Sequence, residues 1–150
     1  MRGFLYSHFH AAAESPQAPL VFVGCGQREF GDLSALMVAL FWRNAGLRVV
    51  YLGQDAGGAD LVEQARLRRP GLVALLVADS ARVRALSRVA RDLHALPHPR
   101  PIVAFGGPIF ARHPELQRKV VGIYLGDDAT TATWQVRRLL GIGRATGPDR

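Results

Sequence analysis

Cysteine is nearly absent from this chain of 150 residues, where Cys25 stands alone. One thiol forms neither an internal disulfide nor a multi-cysteine metal site, so a reducing, cytoplasmic setting is the simpler expectation. Lysine is as scarce, since every basic residue but Lys119 is arginine. Long apolar runs are missing too. The run at residues 72–78 has the length of a buried strand, and no run approaches the ~20 residues of a membrane span. The first residues do not read as a signal peptide, because His8 and His10 interrupt the apolar Phe4-Leu5-Tyr6. Neither a Walker loop nor a Gly-x-Gly-x-x-Gly string occurs. His94, His98 and His113 have no cysteine partners with which to build a zinc site.

What is present is ordinary for a folded domain. Hydrophobic residues make up 49% of the chain, the usual globular level and well above the disordered range. The net charge is +7, and a basic balance permits non-specific contact with nucleic acid or an acidic partner. The arginines are spread along the sequence, and no helix-turn-helix is visible. Contact with nucleic acid is therefore expected to be indirect or non-specific.

Residues 1–19 read as an arm, in which Pro16 and Pro19 stop any helical turn begun at Ala11. From Leu20 a regular alternation sets in. Leu20 to Val23 is a first apolar strand ending in Gly24-Cys25-Gly26. Asp32 to Asn44 follows as a helix with Leu33, Leu36, Met37, Leu40 and Phe41 at spacings of three and four. Residues 47–52 form a second strand, 59–69 a helix, and 72–77 a third strand, apolar throughout as a strand covered on both faces should be. The helix 81–95 turns Val83, Leu86, Ala90 and Leu93 inward. A fourth strand, 102–105, is cut off by Gly106-Gly107-Pro108. A helical turn near 114–118 leads to a fifth strand, 121–125, and then to a last helix, 129–140, opened by Asp127 and Asp128. Those two carboxylates are expected to cap that helix. Residues 141–150 form a Gly- and Arg-rich tail.

Strands alternating with helices predict an α/β fold: a flavodoxin-like or Rossmann-like open five-stranded parallel sheet with helices on both faces, spanning 20–140. In such sheets ligands bind outside the carboxyl ends of the strands. The segments to watch are therefore 24–31, 53–58, 78–81, 106–110 and 126–129.

Three of those segments together resemble the cobalamin-binding domain family. Its members carry a DxHxxG loop after the first strand, a Ser-x-Leu segment at the third, and a Gly-Gly pair after the fourth. Here the first loop is Gly26-Gln27-Arg28-Glu29-Phe30-Gly31, and its continuation through 31–55 is similar to the sensor domain of light- or cobalamin-responsive transcriptional regulators. The stretch 102–110 matches the Gly-Gly signature, and 122–129 resembles the family's fifth strand and last helix. The resemblance implies that the cofactor's nucleotide tail lies beside the first strand and passes the Gly-Gly turn. Gly31, Gly106 and Gly107 carry over onto that path, Gly53 and Gly126 stand at corresponding strand ends, and Gln27, Arg28, Phe30, Leu76 and Ser80 complete the candidate cofactor contacts. Every α/β domain needs glycines at such turns, and it is their ordered combination that carries the resemblance.

The departures are chemical. Arg28 occupies the position of the cobalt-ligating histidine, and Gly26 that of the aspartate that orients it. A guanidinium has no lone pair to donate to a metal. The serine of the third strand is replaced in either plausible register, Ala74 or Leu76, and the nearest hydroxyl is Ser80. Two readings stay open: a corrinoid bound base-on or otherwise without histidine, or a ligand-free interaction or dimerisation scaffold. The first is a sensory, regulatory domain acting through a protein partner or a second copy, not an enzyme. A corrinoid carrier subunit would normally use the missing histidine. The arm is too short for the helical bundle that supplies an upper ligand in the family's photoreceptors. Trp42 and Trp134 are expected in the core or an interface, and Cys25 has no base beside it in sequence to make a nucleophile.

Overall fold

The computed structural model describes residues 19–25, 31–52, 58–77, 80–126 and 128–141. Five strands, β1 (Leu20–Cys25), β2 (Arg48–Leu52), β3 (Leu72–Leu76), β4 (Ile102–Gly106) and β5 (Ile123–Tyr124), form one sheet in the order β2-β1-β3-β4-β5. Every neighbouring pair is parallel. Parallel neighbours require crossovers, supplied here by α1 (Gly31–Asn44), α2 (Gly58–Arg68), α3 (Val83–His94) and α4 (Pro108–Arg112), while α5 (Ala129–Leu139) closes the chain. β3 lies at the centre, which is why Leu72 to Leu75 are all buried.

The sheet separates two cores. On one face α2, α3 and α4 cover Phe22, Val73, Leu75, Val103 and Phe105. Phe105 and Phe110 meet edge-to-face at 4.8 Å between ring centroids, and Tyr124 flanks both. On the other face α1 and α5 cover Val21, Val23, Leu72, Ala74 and Ala104 through Leu36, Ala39, Trp42 and Val136. Arg137 of α5 donates to the carbonyl of Ala45 at 2.6 Å, a cation on one of the last carbonyls of α1.

The structure departs from the expected elements in four places. The inward stripe of α1 is Leu36, Ala39 and Trp42, whereas Met37 and Phe41 are exposed. This helix is apolar on more than one side, so spacing alone did not separate its buried stripe from its exposed one. A helix at Pro108–Arg112 stands where a breaker was expected, because proline is well placed in a first helical turn. The expected helix from Ala81 begins as a 3-10 turn, Ser80–Arg82. β5 is only Ile123–Tyr124. Val83, Leu86, Ala90 and Leu93 are buried as expected. The proposed arm and tail lie, apart from Pro19 and Gly141, outside the described residues.

Gly107 joins β4 to α4 at φ 133°, and a Cβ there would lie 1.7 Å from the carbonyl oxygen of Val77. Both the dihedral and the backbone approach exclude a side chain. Gly107→Ala should therefore destabilise by about 3 kcal/mol or more, the upper range for a strained position. Gly46 also has positive φ, 95°, but nothing lies within 4 Å of its would-be Cβ. Gly46→Ala should cost only about 1–2 kcal/mol, and paired urea melts would check the contrast.

Asp128 caps α5, accepting the Thr131 N–H at 2.7 Å. That bond holds its carboxyl below the ordinary aspartate range. A depressed folded value contributes stability above the unfolded carboxylate's pKa, and this is lost as pH falls through the folded value. Asp128→Ala should lower the melting temperature by a few degrees at neutral pH, and the gap should close under strongly acidic conditions in a pH series of thermal melts.

Candidate functional site

With β2 on one side of β1 and β3 on the other, the chain reverses its direction of winding between β1 and β3. This is the switch point at which an open α/β sheet leaves a crevice above its strand ends. The segments 26–30 and 78–79 that follow those two strands lie outside the described residues, so Gln27, Arg28 and Phe30 do as well. Gly53, after β2, does too. The floor and walls beneath them are described.

Register sets the composition of the floor. Val23 pairs with Ala74, and Ala74 with Ala104; one layer higher Cys25 pairs with Leu76, and Leu76 with Gly106. Side chains two apart on a strand share a face, so Ala74, Ala104 and the Cβ-less Gly106 line the middle of the α1/α5 face. Ala74 and Ala104 are fully buried. On the opposite face the neighbouring positions Leu75 and Phe105 are large. The sheet is therefore shallow toward α1 and α5 and filled toward α2, α3 and α4.

The candidate residues within the described segments divide into three groups. Gly31 opens α1 directly above this face. Gly106, Gly107 and Leu76 meet at the ends of β3 and β4, where the Val77 N–H donates to the Gly106 carbonyl at 3.1 Å. Leu76 is half-buried, and its Cδ2 stands 3.5 Å from where a Cβ on Gly106 would be. It thus leans over the space that Gly106 leaves. Gly126 follows β5, and a Cβ there would meet Thr131 Cγ2 at 2.7 Å, so its smallness brings the start of α5 close to the sheet end. Ser80 is exposed in the lead-in to α3, a helix of the opposite face, and is not gathered with the others.

Two features of this face were not singled out as site residues from sequence. Ala104 contributes with Ala74 to the shallow floor, a signal visible only once two strands are aligned in register. Trp42, fully buried, keeps its indole Nε1 without a hydrogen-bond partner. A buried N–H left unpaired is costly, and Trp42 stands near the end of α1 that leads into β2, toward the amino-terminal end of the sheet.

A long, flat group with hydrogen-bond acceptors suits such a face, and the nucleotide tail of cobalamin is of that kind. Its cobalt end finds less. Among the described residues, no group of three or more His, Cys, Asp or Glu could hold a metal ion. His94 ends α3 and His98 lies between it and β4, toward the amino-terminal end of the sheet, and His113 follows α4. The described residues at the strand ends are thus small and apolar, without a group of metal-ligating side chains.

Comparison with known proteins agrees with this geometry. The B12 binding domain family matches residues 19–133. The fold is similar to a cobalamin-binding protein from Desulfitobacterium hafniense, with a TM-score of 0.73 and 16% identity over 83% of this chain and 60% of that one. It is also similar to the methanol:cobalamin methyltransferase complex MtaBC from Methanosarcina barkeri, with a TM-score of 0.71 and 19% identity over 95% of this chain and 54% of that one. The Methanosarcina barkeri monomethylamine corrinoid protein matches with a TM-score of 0.64 and 16% identity over 80% of this chain and 57% of that one. The chain thus spans little more than half the length of these solved structures. No curated protein matches it. Among the described residues, no helix is long and apolar enough to cross a membrane. With the family match covering most of the chain and the five-stranded parallel sheet in place, this chain belongs to the B12-binding domain family.

Proposed function

We propose that this chain is a cobalamin-binding sensory domain that holds the corrinoid without a histidine on its lower face and acts through a protein partner. Family membership supports cobalamin as the cofactor. The observation that carries the reading is the row Ala74, Ala104 and Gly106 on the α1/α5 face, at the switch point of the sheet. The nucleotide tail would lie along that row, with Gly31, Gly107 and Gly126 keeping the surrounding backbone close. Arg28, where the family carries its histidine, would contact a propionamide, the tail phosphate or another polar group, since it cannot ligate cobalt. When bound, the corrinoid would supply a colour, a light-sensitive upper bond and a redox-active metal.

A regulatory role follows from the same substitution. Methyl transfer by a corrinoid subunit uses axial ligation to tune the metal, and with Arg28 in place of histidine and Gly26 in place of aspartate, that tuning is lost. Binding of a large ligand at the sheet ends remains and can alter how the neighbouring surface meets a partner. Leu76, leaning over Gly106, favours a second reading, a scaffold that has closed over its former ligand site.

Incubation with adenosyl-, methyl- and hydroxocobalamin in the dark, followed by gel filtration, separates the two. Co-elution of a corrinoid is expected, in its base-off form because a tail lying along the row cannot also ligate the cobalt, and colourless protein would overturn the sensor reading in favour of the scaffold. Gly106→Ala tests the row directly. A Cβ there meets only Leu76 and Leu125 at 3.5 and 3.9 Å, so the fold should tolerate it. Corrinoid binding should weaken at least ~10-fold, about 1.4 kcal/mol, as read by absorbance titration. Arg28→His should shift the visible spectrum of the bound cofactor by offering a lower ligand, and an unchanged spectrum would remove Arg28 from beneath the cobalt.

A further inference from the structure

The arginines that look scattered in sequence are gathered by the fold. The 3-10 turn Ser80–Arg82 and α3 carry Arg82, Arg84, Arg88 and Arg91 against the single acid Asp92. Adjacent to them, α4 and the 3-10 segment Pro114–Lys119 carry Arg112, Arg118 and Lys119 against Glu115. These two stretches hold net charges of +3 and +2 of the chain's +7.

At 100° per residue, positions 84, 88 and 91 fall within an arc of about 60° on α3, in a stripe about 10 Å long. The buried Val83, Leu86, Ala90 and Leu93 lie opposite. Asp92 falls to one side of the stripe. On its other side Ser87 donates to the Lys119 carbonyl at 2.6 Å, which sets the 114–119 segment against the helix and makes the basic surface continuous. Arg84, Arg88, Arg91, Arg118 and Lys119 are exposed. Among the described residues, no carboxylate pairs with Arg84, Arg88 or Arg91.

From this arrangement we infer that the α3 face binds the phosphate backbone of a nucleic-acid duplex. Guanidinium forks match phosphate oxygens, and neutralising phosphates releases condensed counterions. The alternative occupants need features that this face lacks. A protein interface centres on desolvated apolar or aromatic anchors, and none of the exposed large apolar side chains, Met37, Phe41, Leu67, Val121 and Ile123, lies on α3, α4 or the 114–119 segment. Single strands are held by stacking on exposed aromatics, but the aromatic ring of α4, Phe110, is fully buried. What remains is charge at helical spacing, suited to a uniform row of phosphates and not to base reading. The inference is independent of cobalamin binding, because α3 covers the face opposite the Ala74–Ala104–Gly106 row.

The test is fluorescence anisotropy of the full chain with a labelled random-sequence 20-base-pair duplex, between 50 and 200 mM salt. Binding is expected to be independent of sequence and to weaken steeply with salt. The combined variant Arg84→Gln, Arg88→Gln, Arg91→Gln alters exposed side chains only, and circular dichroism confirms its fold. It should bind at least ~10-fold more weakly at 50 mM salt, with a log–log salt slope shallower by about 3, one for each phosphate contact. An unchanged affinity in the variant would overturn the inference and move any binding elsewhere on the chain. Equally effective competition by poly-L-glutamate of matched charge would overturn it too, since the face would then prefer carboxylates on an acidic protein.

Discussion

Among the described residues, the constraint on which the carboxyl end of the sheet depends is the approach of the Gly107 backbone to Val77. The Val77 N–H is bonded to the Gly106 carbonyl, and a Cβ on Gly107 would collide with the Val77 carbonyl. This contact clamps the carboxyl ends of β3 and β4 together just where the sheet stops. It sets where α4 begins, and with α4 the placement of Phe110 against Phe105. It also holds open the neighbouring position, Gly106, whose missing side chain forms the upper edge of the shallow row on the other face. One glycine therefore couples the packing of one core to the shape of the other.

The two cores divide the work of stability and recognition. The face under α2, α3 and α4 contains Phe22, Phe105 and Phe110, and burying rings of that size contributes much apolar stabilisation per residue. The face under α1 and α5 uses alanine and glycine at the centre of the sheet and leaves the Trp42 N–H without a partner. Small side chains bury less and bind their own neighbours less tightly. A domain can accept that loss on one face when the other is densely packed. The outer side of that face is also where the arginines of α3 collect, opposite the row Ala74, Ala104 and Gly106.

Much of this was legible in the sequence, for identifiable reasons. Strands such as Leu72 to Leu76 are apolar throughout because both faces are covered, and the glycines and prolines that follow them punctuate sharply. α3 was readable residue by residue because its polar positions, Arg84, Ser87, Arg88, Arg91 and Asp92, separate cleanly from the apolar ones. α1 was not, since Met37 and Phe41 are as apolar as the buried Leu36 and Trp42, and only packing distinguishes them. α4 was hidden because Gly106-Gly107-Pro108 looks like an ending, although a proline is well suited to start a helix. For the site, the glycines were legible as motif positions. Ala74 and Ala104 become a floor only when β3 and β4 are placed in register, and the arginine face only when α3 is set beside residues 114–119.

The departures at Gly26 and Arg28 bear on what a B12-binding domain needs in order to bind. Axial ligation is a single bond at the metal, made by a loop side chain. The tail slot is a property of the whole sheet: its register, its switch point, and small residues on one face. Losing the ligand leaves the slot untouched, because no element of the fold depends on an imidazole at position 28. Losing the slot would require enlarging Ala74 or Ala104, both fully buried among packed neighbours, or giving Gly107 a side chain. Mutation can therefore remove a lower ligand at little structural cost, whereas enlarging Ala74, Ala104 or Gly107 disturbs the core, and only Gly106 has room for a Cβ. A chain with Gly106, Gly107, Ala74 and Ala104 in place but arginine at position 28 is what that asymmetry allows, and under the proposed function it would keep shape recognition of the corrinoid while giving up histidine ligation of its metal.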